Sequence, residues 1–173
     1  FIRGEIGTSI VLNVFRKEKW VQPRDITIVR QRIELPTLEV TYSPDGKVAT
    51  FQLSAFNANA PMKFYQAATV ALMRGVKGIV LDMRNNPGGY LEVANDLAGW
   101  FVERGQLIVS ERFRSGEDKK FLATGNGALK HIPVVVLLNK GSASASEILA
   151  GALRDIRGAK IVGEKSYGKG TVQ

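Results

Sequence analysis

Cysteine is absent from this chain of 173 residues, and histidine occurs once, as His131. Without a thiol there is no disulfide, no cysteine nucleophile and no thiolate metal site. A single imidazole excludes a histidine-rich metal centre as well, and neither metal nor cofactor is expected. Long apolar runs are missing too. No stretch approaches the roughly 20 residues a membrane-spanning helix needs, so no integral membrane segment is expected. No signal-peptide pattern is present, and the chain begins inside what reads as folded sequence.

What remains is ordinary globular material, 45% hydrophobic and 23% charged, long enough for one domain with a core or for a domain plus a fragment. The net charge of +8 would suit nucleic acid, an anionic membrane surface or acidic peptides. The basic residues are scattered, however, and a run such as Arg112-Phe113-Arg114 is short, so a solvated basic surface is expected and nucleic acid is not.

The first part of the chain reads as β structure. Residues 8–16 alternate as a strand does, after a Gly-punctuated turn at residues 2–7, and Ile26–Val29 is a second short strand. Residues 38–53 read as a hairpin about the turn Ser43-Pro44-Asp45-Gly46. The pattern then changes. Helices are expected over 59–74, 91–101 and 145–156, and strands over 77–81, 106–113, 133–138 and 160–162, with 115–128 an exposed loop. Strand–helix alternation implies crossover connections and a mostly parallel sheet, an α/β architecture whose ligands bind beyond the carboxyl ends of the strands. Two conspicuous loops leave strands at that end, Asn85–Gly89 and Gly141–Ser144.

Ser144 stands between the apolar run Val134–Leu138 and a helix with the stripe Ala145, Ile148, Leu149, Ala152, Leu153 and Ile156. A serine there is held rigidly with helix amides beside it, as a nucleophile must be. Ser144 with Glu147 three residues on is equally a capping box, a structural device without chemistry. A nucleophilic serine needs a base. His131 precedes the strand whose far end leads to Ser144, and a six-residue strand spans roughly 20 Å, which places the imidazole at the wrong end. Lysine is the alternative, provided burial lowers its pKa. Lys169 lies between Gly168 and Gly170, which let the backbone bend close to its neighbours; an extended segment from there puts Thr171 and Gln173 on the same face. A Gly-Lys-Gly surface turn is the bland alternative. Donors for a developing oxyanion are available in the Ala145 amide and in Gly88 or Gly89, although Pro87-Gly88-Gly89 also makes a plain strand-to-helix turn.

Three segments in this order, Leu81–Gly89 (Leu-Asp-Met-Arg-Asn-Asn-Pro-Gly-Gly), Leu137–Leu149 and Val162–Gln173, resemble the C-terminal processing peptidases, or tail-specific proteases. The resemblance covers most of residues 24–173. It implies a crotonase/Clp-protease-like core with a mostly parallel sheet and crossover helices. It further implies a serine endopeptidase in which Ser144 is the nucleophile, Lys169 the general base and Gln173 its orienting partner, with the oxyanion held by Ala145 and a glycine of the Asn-Pro-Gly-Gly loop, Gly88 or Gly89. The family usually carries a PDZ domain before the core, so residues 1–17 are expected to be the end of one and 18–173 a protease core that is incomplete at its C-terminus. Substrates would be proteins or peptides with unstructured C-terminal tails, the location periplasmic or otherwise extracytoplasmic, and a homo-oligomer or a regulatory adaptor would be consistent with the family. A non-catalytic peptide- or lipophile-binding module on the same fold is the alternative. An acyl-thioester enzyme, which would need no serine–lysine pair, ranks below it.

Overall fold

The computed structural model describes residues 2–31 and 36–171. The chain divides into two compact units, residues 1–35 and 36–173. The first is an antiparallel pair, β1 (Ser9–Val14) with β2 (Arg24–Val29), in register from Ser9 opposite Val29 to Val14 opposite Arg24. In the connection Trp20 is flanked by two guanidinium groups, Arg16 at 5.2 Å and Arg24 at 5.3 Å from its ring centre. β2 finds its partner in β1, so both strands lie within the first unit.

The second unit is built on a five-stranded sheet in the order β3-β4-β5-β8-β9. β3 (Leu38–Tyr42) and β4 (Val48–Leu53) form the expected antiparallel hairpin, and β4, β5 (Gly78–Asp82), β8 (Val134–Leu138) and β9 (Lys160–Gly163) run parallel. The sheet is thus mostly parallel, as expected. Three helices provide or accompany the crossovers: α1 (Ala60–Arg74), α2 (Leu91–Ala98) and α3 (Ala145–Arg157). Alternate residues of β4 (Ala49, Phe51, Leu53), with Ile79 and Leu81 of β5 and Val134, Val136 and Leu138 of β8, are buried. The small face of α1 (Ala60, Ala67, Ala68, Ala71) lets Phe64 reach into an aromatic cluster, edge-on to Phe51 at 5.4 Å and to Phe101 at 5.8 Å.

Two expectations change. α2 stops at Ala98 rather than at Phe101, because the chain turns at Gly99 against the backbone of Gly125, where an added Cβ would lie 2.6 Å from the Gly125 nitrogen. Phe101 and Val102 are nevertheless core residues. The segment 115–128 is not all loop: β7 (Asp118–Leu122) pairs antiparallel with β6 (Leu107–Arg112) in a separate two-stranded sheet. Its lysines face solvent and it buries little, so it lacks the apolar alternation by which a strand is recognised.

Candidate active site

The sheet register brings Asp82, Leu137 and Val162 level across β5, β8 and β9. The loops after these three strands therefore leave one edge of the sheet side by side, which is where ligands of parallel sheets bind.

The first of them, Met83–Gly89, is fixed by side chains. Arg84 grips the buried Asp82 carboxylate with two hydrogen bonds, Nε to Oδ1 at 2.9 Å and Nη2 to Oδ2 at 2.6 Å. Burial pushes the Asp82 carboxyl up, but the Arg84 hydrogen bonds and charge outweigh it and hold the group below the ordinary carboxylate range. Asn85, in the left-handed region at φ 59°, exchanges amide contacts with Asn139 of the second loop: its N–H donates to Asn139 Oδ1 at 2.8 Å, and Asn139 Nδ2 donates to Asn85 Oδ1 at 3.0 Å. Asn86 is fully buried. Its Nδ2 donates to the Leu53 carbonyl, its Oδ1 accepts the Gly88 N–H at 2.9 Å, and its carbonyl accepts the Ala143 N–H and the Ser146 hydroxyl, each at 3.0 Å. One asparagine thus joins β4, the glycine loop and the serine turn.

The second loop delivers Ser144. The buried Ser142 hydroxyl donates to the Met83 carbonyl at 2.8 Å and accepts the Asn139 N–H at 3.0 Å. Ser144 itself has φ 56° and ψ −116°, a strained conformation for a residue with a Cβ. Ser144 and Glu147 do pair as a capping box does: the Ser144 N–H donates to Glu147 Oε2 at 2.8 Å. The Glu147 N–H, in turn, is held by the Ser144 main-chain carbonyl at 2.8 Å, so the hydroxyl is not needed to satisfy it. Cap and nucleophile are compatible in one residue.

The third loop carries Lys169. The Glu164 N–H donates to the Leu138 carbonyl and the Tyr167 N–H to the Ser142 carbonyl, which lays the loop against the serine turn. Glu147 completes the attachment, accepting the Ser166 hydroxyl (2.7 Å) and the Gly168 N–H (2.6 Å) on Oε1 and the Lys169 N–H (2.9 Å) on Oε2. Partial burial acts to raise the Glu147 carboxyl, and these hydrogen bonds lower it further than burial raises it. Ser144 and Lys169 line one cavity of about 280 Å³, with Gly89, Ile148 and, from the β6–β7 hairpin, Glu111 and Phe121. Lys169 is solvent-exposed, in contrast to the burial expected of it. The structure therefore brings Ser144, Lys169, Ala145, Gly88 and Gly89 to one end of the sheet; Gln173 lies outside the described residues. His131, at the opposite end of β8, is exposed. Among the described residues no three His, Asp or Glu side chains gather as a metal site requires.

Known proteins resemble this chain in sequence and in structure. Residues 47–173 match the family described as Peptidase family S41. The chain belongs to this family. A Staphylococcus epidermidis protein named "Probable CtpA-like serine protease" is 38% identical over 99% of this chain, and a protein of the same name from Staphylococcus aureus is 37% identical over the same share. The S41 chain spans about a third of the length of these relatives, 34% in each case. The solved structure of a photosystem II D1 C-terminal processing protease superposes with a TM-score of 0.78 at 32% identity, covering 98% of this chain and 47% of that one. A lipoprotein from Streptococcus agalactiae shares the fold at 18% identity, with a TM-score of 0.64 over 79% of this chain and 52% of that one.

Sequence reasoning overlooked three contributors. Asn86 reads as one more turn residue beside Pro87, although two successive asparagines before Pro-Gly-Gly are more side-chain amide than a turn requires. The Asp82–Arg84 spacing signals a local ion pair on an extended segment. Glu147 reads in the sequence only as the partner in a capping box.

Proposed function

We propose that this S41 chain is the catalytic part of a serine endopeptidase that cleaves proteins near their C-terminal tails through a Ser-Lys(-Gln) acyl-enzyme mechanism. The observation that carries the reading is the cavity shared by Ser144, held in a strained turn at a helix start, and Lys169, at the carboxyl ends of parallel strands. The Lys169 amine takes the proton of the Ser144 hydroxyl as the oxygen attacks the scissile carbonyl. The Ser144 oxygen–carbonyl bond forms, the carbonyl electron pair moves to its oxygen, and the tetrahedral intermediate collapses with loss of the amine, which takes the proton back from Lys169. Water then releases the acyl group by the same steps, with Lys169 again base and then acid. Gln173 would orient the amine.

Two backbone amides suit the oxyanion. Ala145 follows the nucleophile at the first helical position, where N–H groups have no intrahelical partner. Between the glycines, Gly89 is favoured: it lines the cavity, whereas the Gly88 N–H is committed to Asn86 Oδ1. In this reading residues 1–17 belong to the end of a PDZ domain that captures substrate tails by strand addition, and the protein works outside the cytoplasm. No helix among the described residues is long and apolar enough to cross a membrane.

The test is cleavage of a protein with an unstructured C-terminal tail. Ser144→Ala and Lys169→Ala are each expected to abolish it while leaving the circular-dichroism spectrum and Tm unchanged; cleavage surviving in either variant overturns the mechanism. A serine-directed acylating probe separates this reading from a binding module on the same fold, since only a peptidase gives a covalent adduct at Ser144.

A further inference from the structure

Lys169 sits in a glycine-flanked segment with an exposed side chain, yet a general base has to be held within a few tenths of an ångström of its target. What fixes it? The main chain supplies anchors at Glu164 and Tyr167, both upstream of the lysine. Apart from that Tyr167 N–H, the attachments from Ser166 to Lys169 run to one group, the Glu147 carboxylate. Its Oε2 is the junction. That oxygen accepts the N–H of the nucleophile, Ser144, at 2.8 Å and the N–H of the lysine at 2.9 Å. The main chains bearing the two reacting side chains are thus one shared acceptor apart, although the residues belong to different loops. Oε1 takes the Ser166 hydroxyl and the Gly168 N–H, which sets the plane of the carboxylate and so the direction of Oε2.

We propose that Glu147 is a positioning residue for catalysis, a four-bond clamp that registers the lysine loop on the nucleophile turn. This rests on the assignment of Lys169 as general base in the preceding section. A capping role alone would need only the bond to Ser144; three of the four bonds go instead to residues 19 to 22 positions away. An ionised carboxylate suits this load because it is acceptor-only on both oxygens, and bonds to it are stronger than those to a neutral group.

Glu147→Gln tests the clamp, because the amide keeps the size but turns one oxygen into a donor that faces N–H groups. In this variant kcat is expected to fall about 100-fold with KM kept within about twofold, the signature of lost alignment rather than lost binding. Hydrogen exchange of the Gly168 and Lys169 amides, followed by NMR in the same variant, is expected to accelerate about tenfold or more while β5 and β8 amides stay protected. Ser166→Ala, which removes one bond of the four, is expected to show a smaller loss in kcat and no added loss in the Glu147→Gln background; it also serves if the glutamine variant fails to fold. Unchanged exchange at 168–169 overturns the clamp, and faster exchange with normal kcat overturns its part in catalysis. The exchange readout does not involve cleavage, so cleavage by Lys169→Ala would refute the base assignment and leave the clamp itself separately decided.

Discussion

Replacing Gly88 by alanine addresses the closest approach in the site. An added Cβ would lie 2.7 Å from the Ala143 carbonyl oxygen, 2.9 Å from the Ala145 nitrogen and 2.9 Å from Ser144 Cβ. All three neighbours belong to the Ser144 turn. None is the end of a flexible side chain, so relief requires the turn or the glycine loop to move by about 0.6–0.8 Å, the gap between these distances and ordinary packing at about 3.5 Å. Gly88 also has φ +98°, which costs a residue with a Cβ about 1–2 kcal/mol. With the contacts added, a destabilisation of about 2–3 kcal/mol is expected, within the range of overpacking. For a chain of this size that corresponds to a fall in Tm of about 4–12 °C. Activity should suffer more. The Ala145 amide is the proposed oxyanion donor, and displacing one such donor costs about 100- to 1,000-fold in kcat. The assay is kcat and KM on an unstructured tail peptide, with Tm from thermal circular dichroism. Gly151→Ala is the control: its Cβ meets nothing within 4 Å on α3, so activity is retained and Tm rises slightly. A Gly88→Ala protein with normal kcat and Tm would refute the inference that the glycine loop and the serine turn are in obligatory contact.

Asp82→Asn is expected to alter the acid limb of stability. The Asp82 carboxyl titrates below its ordinary value of 3.8, so its pairing stabilises the fold above that pH and is lost as pH falls toward the lower folded value; chemical denaturation from pH 6 to pH 2 should show a shallower acid loss in the asparagine variant. Ser142→Ala leaves the Met83 carbonyl and the Asn139 N–H without their buried partner, and a loss of about 1–3 kcal/mol is expected in urea titration. Phe64→Ala, at the centre of the aromatic cluster, is expected to cost about 3–5 kcal/mol in the same assay without moving the three loops that form the site.

The parts of the fold that were legible in the sequence are those that bury one face regularly. The Val134–Leu138 run and the Ala145–Ile156 stripe name β8 and α3 because burial there is periodic. β7 was hidden because a solvent-facing strand holding Lys119 and Lys120 has no such period. The pairing of β1 with β2 was hidden for another reason: a strand's composition says that it will pair, not with which segment. In the site, the strand-to-helix position of Ser144 and the glycines about Lys169 could be read directly. The buried amide of Asn86 and the convergence on Glu147 could not, because both depend on loops that meet only once β5, β8 and β9 are in register.

The β6–β7 hairpin stands outside the five-stranded sheet, yet it lends Glu111 and Phe121 to the cavity that holds Ser144 and Lys169. On the proposed assignment, reaction and selection fall to separable parts of the chain. Lengthening, recharging or exchanging that ribbon changes which residues a peptide meets on its way to the serine and leaves every strand end in place. In evolution, and equally in engineering, new tastes can be tried on this ribbon while the machinery for bond breaking is inherited whole.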